Sequence, residues 1–234
     1  MTRVLASVTS VIEASLALDG GADIIDLKNP RQGALGALPI QTIQAIVAFV
    51  AGRVPVSATI GDLPMHAATV AERVRETADT GVDIVKIGLF GQTGHQDCIA
   101  AVAPLAARGI GVVAVLFADG QPDFGLLPSM AQAGFMGAML DTADKKSGRL
   151  TDCLSEAMLG NFVQTGRRLG LLTGLAGSLR LQDLDVLVPM APDYLGFRGA
   201  LCHGGDRNAE FDSARLGVIT ALLREYNSAV VQAA

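Results

Sequence analysis

The chain has 234 residues, half of them hydrophobic and 18% charged, with a net charge of −5, a mean hydropathy of +0.41 and a pI near 5.1. That length suits one large domain or two small ones with ample apolar material for a core. The acidic balance and the lack of a basic cluster argue against a nucleic-acid partner, and no uncharged run approaches the roughly 20 residues that cross a bilayer.

In chain order, short apolar runs alternate with stretches of helical spacing. Strands are expected at 3–8, 23–28, 54–60, 83–89, 111–118, 136–141, 171–176 and 194–198. Helices are expected at 10–19, 40–51, 67–80, 95–108, 152–169, 181–187 and 208–227, with a short one at 127–134 interrupted by Gly134. Continuous apolar strands read as buried on both faces, and parallel pairing needs helical crossovers. Eight such units in this length predict a single (β/α)8 TIM barrel over residues 1–234; a doubly wound open sheet is the competing arrangement. Residues 20–28 (GGADIIDLK) and 79–86 (DTGVDIVK) repeat one junction: a helix-ending glycine, an aspartate, then the strand.

The start, MTRVLASVTSVIEASLALDGG, lacks the layout of a secretory leader, because Thr9, Ser10 and Glu13 break its apolar stretch. A soluble, cytoplasmic protein is the expectation. Cys98, Cys153 and Cys202 suggest neither a disulfide framework nor a zinc site. No dinucleotide fingerprint follows the first strand, so no nicotinamide cofactor is expected. His66 and His95 fall at helix starts, and His203 has no acid partner nearby in sequence, so none suggests a dyad or a metal centre. The apolar outer helices of such barrels commonly associate, which suggests a homo-oligomer.

In a barrel of this kind the chemistry lies at the C-terminal ends of the strands. Polar residues concentrate there: Asp26 and Lys28, Ser57 and Thr59, Lys86, Asp119, then Asp141 with Lys145 four residues later. Period two puts Asp26 and Lys28 on one face, with Cα atoms about 7 Å apart. Lys86 shares a face with Gly88, whose missing side chain would leave room beside the amine. A lysine in an apolar pocket near a second cation loses its proton more easily and can attack a carbonyl to form an imine. Asp26, Asp119 and Asp141 could move protons, with Asp119 also placed to contact substrate. The plainer alternative is that the lysines and carboxylates merely neutralise one another at the barrel mouth. Phosphate is expected at the seventh and eighth strands: Gly177 lets the backbone approach, Ser178 can cap a helix, and Arg198 with Gly199 opens a glycine-rich loop.

The segments GGADIIDLKNPRQGALGA (20–37), VSATIGDLP (56–64), VKIGLFG (85–91), MLDTADKKSGRL (139–150), LAGSLR (175–180) and GFRGALCHGGDR (196–207) together resemble the (5-formylfuran-3-yl)methyl phosphate synthase family of methanofuran biosynthesis. The resemblance implies a cofactor-independent lyase that condenses two molecules of glyceraldehyde 3-phosphate, a triose phosphate, with loss of phosphate and water. It matches the family's Schiff-base lysine to Lys28, its second catalytic lysine to Lys86, its strand-end aspartates to Asp26 and Asp141, and the lysine of its DTAxK motif to Lys145. Arg53 precedes the third strand and no lysine occurs in the fifth, so family roles there do not transfer. Another lysine-dependent aldolase or isomerase of phosphorylated sugars, and a non-catalytic barrel that binds a phosphometabolite, stand as alternatives.

Overall fold

A computed structural model describes residues 1–144 and 147–233, with side chains through residue 229. Eight parallel strands close into a barrel in the order β1 to β8. They are β1 (Arg3–Val8), β2 (Ile24–Leu27), β3 (Val56–Thr59), β4 (Ile84–Gly88), β5 (Gly111–Phe117), β6 (Gly137–Asp141), β7 (Leu172–Leu175) and β8 (Tyr194–Phe197). The crossovers carry α1 (Val11–Asp19), α2 (Ile40–Val50), α3 (Ala67–Ala78), α4 (His95–Ala106), α5 (Leu127–Gln132), α6 (Leu150–Cys153), α7 (Glu156–Arg168) and α8 (Leu184–Leu187), and α9 (Ser213–Ala233) follows β8. This is the (β/α)8 architecture; the open sheet is excluded by the β1–β8 pairing, in which Leu5 lies opposite Gly196.

Two helices depart from the sequence reading. The helix expected over 152–169 is divided into α6 and α7, because Leu154 takes an extended conformation and the hydroxyl of Ser155 then caps Met158 N–H at 3.4 Å. The helix expected from residue 208 starts at Ser213, where the Asp212 carboxylate accepts from Ala214 N–H at 3.0 Å. The residues before it form a loop whose Phe211 bridges back to Cys202.

The repeated aspartate ahead of a strand has a physical cause. Asp23, before β2, accepts the N–H of Val4 on β1 at 2.8 Å. Asp83, before β4, accepts the N–H of Val56 on β3 at 2.7 Å. Asp193, before β8, accepts the N–H of Thr173 on β7 at 2.6 Å. Each carboxylate satisfies a backbone donor at the bottom of the preceding strand, beyond the reach of the ladder.

Apolar residues fill two zones. The larger lies between the strands' outer faces and the helices and includes Ile25, Leu27, Ala58, Val85 and Ile87. The smaller fills the barrel interior with Leu5, Ile24, Val113, Val115, Met139 and Tyr194. Tyr194 needs Gly174, since a Cβ there would stand 2.3 Å from the phenol ring. Burial and then the Asp26 charge push the Tyr194 hydroxyl well above its ordinary value, so it stays neutral. Above this apolar floor the interior turns polar.

Candidate active site

The register of the first three strands builds the polar layer. Ser7 lies opposite Asp26, and Asp26 lies opposite Ser57. Both hydroxyls donate to the Asp26 carboxylate, at 2.9 Å from Ser7 and 2.6 Å from Ser57. Lys86 on β4 reaches the same carboxylate with Nζ 2.7 Å from Oδ1. Lys28 is the first residue past β2; its N–H still bonds Val8 O, and its side chain crosses to Asp141 on β6 at 3.1 Å. A second oxygen of Asp141 accepts the N–H of Thr142 at 2.7 Å.

Asp26 and Lys28 thus share a face, as the spacing predicts, but each pairs with another strand. The two lysines also differ in depth. Lys86 is 2% exposed, whereas Lys28, at 7%, stands closer to solvent at the barrel mouth. Burial is the main influence on Lys86 and holds its amine below the ordinary value, with the nearby Lys28 charge acting the same way against the attraction of Asp26. Burial alone would raise the Asp26 carboxyl, but the Lys86 and Lys28 charges and the Lys86 and Ser57 hydrogen bonds bring it below its ordinary value. The expected space beside Gly88 is not empty: a Cβ there would meet the Phe90 ring at 2.4 Å and Leu35 at 2.8 Å. The lysine is desolvated by enclosure within the barrel.

Asp26, Lys28, Lys86 and Asp141 open into one cavity of about 980 Å³, which also reaches Gly177 and Ser178 after β7 and Arg198 and Gly199 after β8. Gly177 has φ +112, and a Cβ would stand 2.9 Å from Thr142, so glycine is required there. Ser178 is also left-handed, at φ +52. It caps no helix: the next turn begins at Leu181, with Asp183 accepting the N–H of Arg180.

Two of the expected contact residues have partners within the protein. Arg198 spends its donors inside the protein, on the Glu13 carboxylate at 2.5 and 3.1 Å, on Ser7 O and on Arg207 O. It shapes the loop after β8. Asp119 is absent from the cavity wall; its carboxylate accepts the N–H groups of Ala143 and Asp144 at 2.9 and 2.7 Å, tying the loop after β5 to the one after Asp141. Lys145 lies outside the described residues. Sequence reasoning also passed over Glu13, whose only signal was a charge breaking an apolar run, and Arg207, the last residue of a motif noted for its glycines.

Fold and site together define a (β/α)8 barrel with two lysine–aspartate pairs inside one polar cavity. A family model described as 4-HFC-P synthase matches residues 4–220. A relative from Methanopyrus kandleri, (5-formylfuran-3-yl)methyl phosphate synthase, is 41% identical over 88% of this chain and 92% of its own. A relative from Methylorubrum extorquens is 44% identical over 95% of this chain and 92% of its own. The chain belongs to the 4-HFC-P synthase family, a family of enzymes. Among solved structures, phosphoribosyl anthranilate isomerase from Thermus thermophilus superposes with a TM-score of 0.67 at 17% identity, covering 96% of this chain and 99% of its own, a likeness of fold. No described helix is long and apolar enough to cross a membrane.

Proposed function

We propose that this protein condenses two molecules of glyceraldehyde 3-phosphate into (5-formylfuran-3-yl)methyl phosphate through an imine on Lys28. The observation that carries this reading is the placement of two lysine–carboxylate pairs on one cavity whose volume, about 980 Å³, accommodates two triose phosphates. Lys28 suits the nucleophile because its amine stands at the mouth, beside a carboxylate that can take and return protons as water leaves the carbinolamine. Lys86 suits proton transfer, since burial makes its ammonium give up a proton more readily than an exposed lysine, and Asp26 holds it in place.

Water leaves as Lys28 forms the imine with one triose phosphate, in its ketone form or directly. Loss of a proton beside the imine carbon gives an enamine, with the iminium nitrogen as the electron sink. The enamine carbon attacks the aldehyde carbon of the second triose phosphate, and the new alkoxide takes a proton. Elimination releases one phosphate, ring closure and dehydration build the furan, and hydrolysis of the imine frees Lys28. Over the cycle the two trioses give the furan phosphate, one phosphate and two waters. Lys145 enters this scheme on the resemblance alone. Gly177, Ser178 and Gly199 lie where loop amides can approach a phosphate.

Incubation with glyceraldehyde 3-phosphate alone is expected to produce near-ultraviolet furan absorbance, and borohydride during turnover to leave a reduced triose adduct on Lys28, mapped by peptide mass. Furan formation with an adduct on Lys86 only would reverse the two lysines. Turnover of triose phosphate without furan would favour another lysine-dependent aldolase or isomerase.

A further inference from the structure

Five arginines line the cavity, and their counter-charges separate them. Arg198 is neutralised by Glu13, Arg149 by Asp152 and Asp183, and Arg215 by Asp212 at 3.3 Å. Arg180 is exposed. Arg207 is different: it is half-buried, and its bonds go to backbone carbonyls, with Nη2 donating to Pro30 O at 2.5 Å and to Gly33 O at 3.4 Å. Its Nη1 is buried with no hydrogen-bond partner among the described residues. A guanidinium has no acceptor capacity and cannot shed its proton, so this geometry leaves a positive charge and two N–H donors without a counter-group. Gly204 and Gly205, immediately before it, are left-handed and line the same cavity.

We propose that Arg207 is the residue that binds a substrate phosphate, with Nη1 donating to a phosphate oxygen while Nη2 keeps hold of the loop that follows Lys28. A phosphate would supply the missing charge through a short, charge-assisted bond. Because Pro30 lies two residues from Lys28, the same side chain links the phosphate's position to that of the amine. The inference rests on the substrate being a phosphorylated carbonyl compound, as in the proposed function, but does not need the product to be a furan.

The test uses inorganic phosphate as the probe. Thermal stabilisation of the wild-type protein is titrated against phosphate and compared with Arg207→Gln, Arg207→Lys and, as a control, Arg180→Gln. Arg207→Gln is expected to need about tenfold or more phosphate for the same shift, Arg207→Lys to fall between, and Arg180→Gln to stay within about twofold of wild type. Borohydride trapping adds a second readout: in Arg207→Gln the ratio of glyceraldehyde 3-phosphate trapping at low concentration to trapping of glyceraldehyde, which has no phosphate, should drop about tenfold or more below the wild-type ratio. In the wild-type protein, phosphate should slow labelling of Arg207 by phenylglyoxal, a measurement that does not depend on any variant folding. An unchanged phosphate response in a folded Arg207 variant, or no protection of Arg207, overturns the proposal. Lost furan synthesis with the phosphate effects intact would overturn the reaction instead and leave Arg207 in place.

Discussion

Replacing Lys28 with arginine is expected to abolish furan formation, by at least about a thousandfold, while leaving the barrel folded. Arginine keeps the positive charge, so Asp141 retains a cationic partner across the barrel mouth. It has no free amine at any working pH, so no carbinolamine or imine can form on it. The variant should also give no borohydride adduct at residue 28, and its thermal midpoint should stay within a few degrees of wild type. Lys28→Ala should also abolish furan formation, and it removes the ion pair between Lys28 and Asp141 as well. Activity of Lys28→Arg within about tenfold of wild type would remove Lys28 from the nucleophile's role.

Lys86→Met carries the second large effect, and it falls on stability as well as activity. It leaves the Asp26 carboxylate fully enclosed, with the Ser7 and Ser57 hydroxyls as hydrogen-bond donors and Lys28 as the remaining nearby cation. Removing one partner of a buried pair costs about 3–5 kcal/mol, which for a chain of this size lowers the thermal midpoint by roughly 10 °C. In the wild type the Asp26 carboxyl lies below its ordinary value. The folded state therefore binds fewer protons than the unfolded one, and the stability this confers is present above about pH 4 and lost as pH falls. In Lys86→Met the largest favourable influence is gone while burial remains, so the carboxyl rises above its ordinary value. The sign then reverses: stability is greatest at low pH and declines as pH climbs through the raised value. Melting curves from pH 4 to pH 8 separate the two behaviours. Adding Asp26→Asn to Lys86→Met should restore most of the lost midpoint and flatten the pH dependence, without restoring activity. A single variant that melts like wild type across that range would mean that Asp26 is not held in a buried charge pair.

The eight strands, their parallel order and the polar upper ends of the barrel were legible from the sequence because apolar periodicity reports burial directly, and Lys28 and Lys86 stand out in apolar surroundings. Partner choice was not legible. Asp26 and Lys28 are two residues apart, yet Asp26 pairs with Lys86 and Lys28 with Asp141, because barrel closure decides which side chains meet across the interior. The same limit explains Arg198, whose guanidinium meets Glu13 from a segment 185 positions away. Gly88 marks a different limit: a missing side chain shows where space could be, while Phe90 and Leu35 decide that it is filled. Arg207 was hidden because nothing local distinguishes an arginine with a carboxylate partner from one that lacks it.

The carboxylates beneath β2, β4 and β8 tie β1 to β2, β3 to β4 and β7 to β8. Beneath β6 the corresponding position is Met136, whose N–H reaches Val112 O as the three aspartates' N–H groups reach their own neighbours. It offers no carboxylate in return. The seam between β5 and β6 is held instead by its ladder, which runs from Val113 opposite Gly137 to Phe117 opposite Asp141. That seam runs upward to Asp141, the carboxylate beside Lys28. The position of Lys28's partner thus follows from the ladder that joins these two strands.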